Sequence, residues 1–130
     1  MPGEQVADHD RFVSNRVLIV DDSPHFRAVA AELLAARGFE VLLTAADGEQ
    51  ALAAAADGCP DAILLDINLP GPDGYAVAAS LAAACPGAAI VLTSADVGQV
   101  PAENLRACNA VAFVPKQDLA AADLMALFAR

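Results

Sequence analysis

Five short apolar runs punctuate the chain: Val17-Leu18-Ile19-Val20, Val41-Leu42-Leu43, Ala62-Ile63-Leu64-Leu65, Ile90-Val91-Leu92-Thr93 and Val111-Ala112-Phe113-Val114. They are mostly unalternating, the pattern of strands buried on both faces. Between them the apolar positions change to helical spacing. Ser23-Pro24 supplies an N-cap and a proline at the first helical position, Phe26, Val29, Ala30, Leu33 and Leu34 carry the apolar stripe, and Gly38 provides the stop. Asp47, three residues before Gln50, opens an alanine-rich helix that Gly58 and Pro60 close. A third helix is predicted from Gly74 to Ala84, ended by Pro86-Gly87. The fourth is short, about Ala102 to Cys108, because Pro101 cannot sit deep inside a helix. The last is expected to run from Asp118 to Ala129, with Leu119, Leu124, Leu127 and Phe128 facing the core. Five strand–helix units with short connections predict an α/β fold, a (βα)5 doubly wound parallel sheet of five strands covered on both faces.

Length and composition add limits. A chain of 130 residues suits one domain, and no repeat or linker divides it, so residues 16–130 are read as that domain and residues 1–15 as a short flexible lead-in. No stretch approaches the roughly 20 apolar residues of a membrane span. The polar start, with Glu4, Asp8, His9, Asp10 and Arg11, lacks the apolar core of a secretory signal, so a cytoplasmic protein is expected. Cys59, Cys85 and Cys108 form an odd set without metal-like spacing, which fits a reducing compartment and three inert thiols. With 7 basic and 17 acidic residues the formal charge is −10, which argues against direct contact with nucleic acid.

The unusual polar residues fall at the carboxyl ends of the strands, where doubly wound sheets bind ligands. Asp21 and Asp22 follow the first strand, Asp66 the third, Thr93-Ser94 the fourth and Lys116 the fifth. In the flavodoxin-like order 2-1-3-4-5, strands one and three are neighbours and their three carboxylates converge. Two unit charges ~4 Å apart repel by about 4 kcal/mol at an effective dielectric of 20, so such a cluster calls for a cation. Mg²⁺ suits it, because that ion prefers oxygen and binds through one or two carboxylates while keeping places for water and phosphate. One carboxylate could then attack a phosphoryl donor and form an acyl phosphate. Asp66 stands alone at its strand end and is the better nucleophile; the Asp21-Asp22 pair reads as a metal holder.

The segments Leu-Ile-Val-Asp21-Asp22-Ser-Pro, Leu-Leu-Asp66-Ile-Asn-Leu-Pro-Gly-Pro-Asp-Gly, Val-Leu-Thr-Ser94-Ala and Phe113-Val-Pro-Lys116 together resemble the receiver domain of bacterial response regulators, over about Arg16 to Arg130. The resemblance supports the strand order 2-1-3-4-5. It implies Mg²⁺ on Asp21, Asp22, Asp66 and the Asn68 backbone carbonyl, with phosphorylation of Asp66. It further implies that Ser94 and Lys116 contact the phosphoryl group, that Phe113 rotates on activation, and that Asn68 and Asp96 tune phosphoryl loss. Thr93 remains the alternative hydroxyl. A sensor histidine kinase or phosphotransfer protein is the implied donor, and an unidentified protein the downstream partner.

The pattern departs from the family at Cys108-Asn109-Ala110-Val111, where a Gly-Ala pair is common, at Pro101, and at Gln117, where many receivers carry proline. Gln117 makes a cis peptide after Lys116 unexpected, since non-proline cis bonds cost about 2.5–4 kcal/mol. Each site residue also has an ordinary reading: Asp21-Asp22 as helix-end charges, Asp66 as a turn former, Lys116 as a surface charge, Ser94 as a loop hydroxyl, Phe113 as core. Their coincidence at four strand ends favours the receiver. Alternatives are the regulatory part of a DNA-binding regulator, a Mg²⁺-dependent phosphatase with an Asp nucleophile, and a pseudo-receiver that binds without phosphorylation.

Overall fold

The computed structural model describes residues 15–71, 73–96 and 100–129; most of the expected lead-in, residues 1–14 with His9, lies outside them. Five strands, β1 (Arg16–Val20), β2 (Glu40–Ala45), β3 (Ala62–Asp66), β4 (Ala89–Ser94) and β5 (Ala110–Pro115), pair in parallel in the order β2-β1-β3-β4-β5. The helices α1 (Pro24–Ala36), α2 (Gly48–Asp57), α3 (Gly74–Ala84), α4 (Ala102–Ala107) and α5 (Leu124–Phe128) connect or follow them. This is the doubly wound (βα)5 architecture that the apolar pattern predicts.

Alternation along each strand divides the interior into two layers. Leu18, Val20, Ile63, Leu65, Ile90 and Leu92 pack with Ala51 and Ala55 of α2 and Val77, Ala78 and Leu81 of α3. The intervening residues, Val17, Ile19, Leu64, Val91, Ala112 and Val114, pack with Ala30 and Leu34 of α1 and with Leu124 and Phe128 of α5. Burial on both faces explains why the central strands show no polar alternation.

The helix ends follow the signals in the sequence. Phe26 N–H donates to the Ser23 hydroxyl (3.2 Å) at the start of α1, with Pro24 at its first position. At its end Gly38 adopts φ 96°, its N–H donates to the Ala35 carbonyl, and Phe39 N–H donates to the Leu34 carbonyl. These paired bonds satisfy carbonyls the helix leaves open, at a φ that costs glycine little. At α2, Gln50 N–H donates to Asp47 Oδ1 (2.8 Å), while Gln50 Oε1 accepts from Ala46 N–H (2.8 Å). Asn109 holds the left-handed turn before β5 at φ 61°, a conformation Asn tolerates better than most residues. Every described peptide bond is trans.

Two expectations are corrected. The segment 118–129 is not one helix: a 3₁₀ turn spans Lys116–Ala121, Ala122 is extended, and α5 begins after Asp123. Asp123 competes for the backbone by capping the new helix, its Oδ1 accepting from Ala126 N–H (3.1 Å). Arg37 at the end of α1 donates to the carbonyls of Ala120 and Ala122. The second correction concerns the cysteines. Cys59 and Cys85 form a disulfide with Cα atoms 5.6 Å apart, so the expectation of three inert thiols fails. Twenty-six residues separate the two in sequence, but α3 returns its C-terminal end to the turn that precedes β3. Cys108 remains a buried thiol whose pKa burial pushes up.

Candidate functional site: an acidic cluster with one lysine

The same alternation that builds the core aims the site. Val17 and Ile19, Ala62 and Leu64, and Ala112 and Val114 all face the α1 and α5 layer. Two residues further along each strand come Asp21, Asp66 and Lys116, which therefore leave the sheet on one side at its carboxyl edge. Carboxylate oxygens of Asp21, Asp22 and Asp66 all lie within 4.8 Å of one another. Asp21 and Asp66 are buried and Asp22 is exposed.

The Lys116 ammonium sits between the two buried carboxylates, 2.8 Å from Asp21 Oδ2 and 3.5 Å from Asp66 Oδ2. The contact with Asp21 is a close ion pair, and the Lys116 ammonium is the one polar partner beside the buried Asp21 Oδ2 among the described residues. Asp21 Oδ1 accepts from Ser23 N–H (2.9 Å), and Asp66 Oδ1 from Asn68 N–H (2.9 Å). Burial pushes the Asp66 pKa up, opposed by the Asn68 N–H; the Asp21 charge adds to the rise and Lys116 opposes it, and the net direction is upward. Burial alone would lower the Lys116 pKa, but Asp21 and then Asp66 outweigh it, so the ammonium is held charged beyond its ordinary range.

Three carboxylates with oxygens within 4.8 Å of one another face one ammonium, which leaves an excess of negative charge at this edge. Clustered hard oxygens of this kind fit Mg²⁺. Asn68 belongs to the same edge, its N–H anchoring Asp66.

The two candidate hydroxyls are placed differently. The Thr93 hydroxyl donates to the Val114 carbonyl (2.7 Å) and is fully buried between β4 and β5. The Ser94 hydroxyl accepts from Asn68 Nδ2 (2.7 Å) and from Asp96 N–H (3.0 Å), and Asn68 Nδ2 also donates to Asp96 Oδ2 (3.1 Å). Phe113, opposite Leu92 in the sheet, is half-buried against the α2 and α3 layer, away from the carboxylates.

The turn after β3 depends on Gly74. Its N–H donates to the Ile67 carbonyl (3.1 Å), and a Cβ there would lie 2.2 Å from Ile67 Cα. Only glycine lets α3 start so close to the residue that follows Asp66.

Two residues at the site escaped the sequence reading. Arg27 donates to the Asp21 carbonyl (2.7 Å), and the Phe26 ring lies under the Lys116 ammonium, 4.2 Å from centroid to nitrogen. Phe26 reads in sequence as one member of the α1 stripe. Its position in the first turn, four residues after Asp22, was the available signal.

A family model for the response regulator receiver domain matches residues 17–128, and the chain belongs to that family. Over 80 residues it is 44% identical to protein-glutamate methylesterase/protein-glutamine glutaminase 2 of Anaeromyxobacter dehalogenans, covering 61% of this chain and 24% of that protein. It is 32% identical to the transcriptional regulatory protein PdtaR of Mycobacterium tuberculosis, over 84% of this chain and 53% of the relative. The chain thus spans about a quarter to a half of the length of such curated relatives. Among solved structures it is similar to the response regulator protein TrrA of Thermotoga maritima in complex with Mg²⁺ and BeF, with 32% identity, a TM-score of 0.74, and 87% and 98% of the two chains covered.

Proposed function

We propose that this receiver domain is a phosphoacceptor of a two-component or phosphorelay system, taking a phosphoryl group onto Asp66 from a histidine kinase or phosphotransfer protein. The observation that carries the reading is the convergence of Asp21, Asp66 and Lys116 at one edge of the sheet, with an ammonium between two buried carboxylates. An Asp66 oxygen attacks the phosphorus of a phosphohistidine; the new O–P bond forms as the P–N bond breaks, and the imidazole nitrogen leaves with the electron pair. Asp21, Asp22, Asp66 and the Asn68 carbonyl would hold Mg²⁺, which would supply charge neutralisation to the phosphoryl oxygens.

Lys116 delivers its charge to the phosphoryl group, and Ser94 donates its hydroxyl once it turns from Asn68 and Asp96. Thr93 is the weaker choice for that role because its hydroxyl is held by Val114. Phosphorylation then biases an equilibrium that includes β5, where Phe113 stands, and the downstream protein reads the shifted state. The Asp-nucleophile phosphatase reading lacks its acid/base, since Asn68 has no titratable group and its amide is engaged by Ser94 and Asp96.

No described helix is long and apolar enough to cross a membrane. A receiver that takes its phosphoryl group from a histidine kinase would work in the cytoplasm, where the Cys59–Cys85 pair would meet a reducing thiol pool. The test is intact mass after incubation with a small phosphodonor. One Mg²⁺-dependent phosphoryl addition that Asp66→Asn abolishes is expected, and equal addition to that variant would refute the assignment.

A further inference from the structure

We propose that Phe26 is the positioning residue for Lys116: its ring face carries the ammonium as the lysine moves between the resting carboxylates and the phosphoryl group. The inference rests on the phosphoacceptor reading and extends it to a residue of α1.

The ammonium is attracted to Asp21 and Asp66 on one side and lies 4.2 Å from the Phe26 centroid on another, within cation–π range. The Lys116 side chain is 19% exposed, so the ring replaces water that would otherwise solvate the charge. Phe26 is itself held in place. Its N–H donates to the capping hydroxyl of Ser23, and its side chain packs against the layer that contains Leu34 and Leu119. Cap, helix and core therefore fix the ring, and the ring fixes the lysine.

The choice of an aromatic has a physical reason. A carboxylate or amide oxygen at this place would bind the ammonium in a fixed direction and compete with a phosphoryl oxygen for it. A π face attracts the cation without a directional hydrogen bond, so Lys116 can shift by an ångström or so toward the phosphoryl group with the ring still beneath it, and the contact counts most when the attractions to Asp21 and Asp66 are given up. An aliphatic side chain would fill the space but leave that side of the ammonium without an electrostatic partner.

The attraction is graded by electron density in the ring, which supplies the test. Position 26 is occupied in the full chain by Phe, Tyr, Leu and mono-, di- and trifluorinated phenylalanines. Three quantities are measured: unfolding midpoint, the rate of Mg²⁺-dependent phosphorylation by acetyl phosphate, and the ¹⁵N-filtered proton signal of the Lys116 ammonium. The expected result is a progressive fall in rate with fluorination, about two- to thirty-fold at the end of the series. Tyr should retain the Phe rate, Leu should match the most fluorinated ring, and the ring-current shift of the ammonium signal should disappear in Leu. Fluorination barely alters ring size, so a purely structural role predicts a flat rate series, and a flat series overturns the proposal. An ammonium signal that is the same in Phe and Leu also overturns it, whether or not the domain is phosphorylated. If the wild-type chain fails to label while the ammonium signal shows the ring contact, the phosphoacceptor reading falls and the contact stands.

Discussion

Replacing Lys116 by Met removes the one ammonium seen between Asp21 and Asp66 while keeping an apolar stem of similar length. At 2.8 and 3.5 Å, and an effective dielectric of 20, the two attractions amount to about 6 and about 5 kcal/mol. Desolvation of the ions offsets much of that sum, and removing one partner of a buried pair typically costs about 3–5 kcal/mol. The cluster has an escape that limits the loss. It can take up a proton, which at pH 7 costs a carboxylate of ordinary pKa about 4 kcal/mol. The expected destabilisation without divalent metal is therefore about 3–4 kcal/mol, read by urea unfolding at pH 7 in EDTA. Because the Lys116 pKa is raised in the fold by Asp21 and Asp66, its stabilisation is present below the ordinary lysine range wherever those carboxylates are charged, and is lost as pH rises through the raised value. The deficit of Lys116→Met should accordingly persist across neutral pH. Added Mg²⁺ should stabilise the variant more than the wild type, since the ion no longer shares the carboxylates with an ammonium. A loss below about 1 kcal/mol, the worth of an exposed pair, would refute the view that this lysine holds the site's charges together.

Other substitutions probe the same framework. Asp66→Asn should raise metal-free stability at neutral pH. The folded state raises the Asp66 pKa, so that group's contribution is fully present below the ordinary aspartate range and is lost as pH climbs through the raised value; an unchanged stability–pH curve in the variant would contradict the raised pKa. Reduction of Cys59–Cys85, or Cys59→Ser, should lower stability by about 3 kcal/mol for a loop of 26 residues, measured by thermal unfolding with and without a phosphine reductant; identical melting would mean that the two sulfurs are not bonded. Gly74→Ala should cost about 3 kcal/mol or more, because the new methyl would meet Ile67 Cα at 2.2 Å, and it should slow labelling of the neighbouring Asp66. A Gly74→Ala variant with normal stability would show that the turn can yield.

Much of this was legible because strand burial and strand-end chemistry are both local in sequence. Unalternating runs predicted the parallel sheet, and continuing their alternation by two residues places Asp21, Asp66 and Lys116 on one side. The helix signals at Ser23, Gly38, Asp47 and Gly74 required only short-range bonds. What escaped depends on contacts between distant segments. The Cys59–Cys85 bridge needs the path of α3, and the break at Ala122–Asp123 needs both a capping carboxylate and Arg37 from α1. Phe26 satisfies the apolar periodicity of α1 so well that nothing in the pattern marks its second role beside Lys116.

The central claim is that Asp66 is the group that becomes esterified. Borohydride reduces an acyl phosphate to the alcohol, converting a phosphorylated aspartate to homoserine. After labelling with acetyl phosphate and Mg²⁺, reduction and peptide mass spectrometry should find homoserine at position 66 and unaltered aspartate at positions 21 and 22. Homoserine at either of those positions, or a stable phosphate on another side chain with Asp66 intact, would contradict the account.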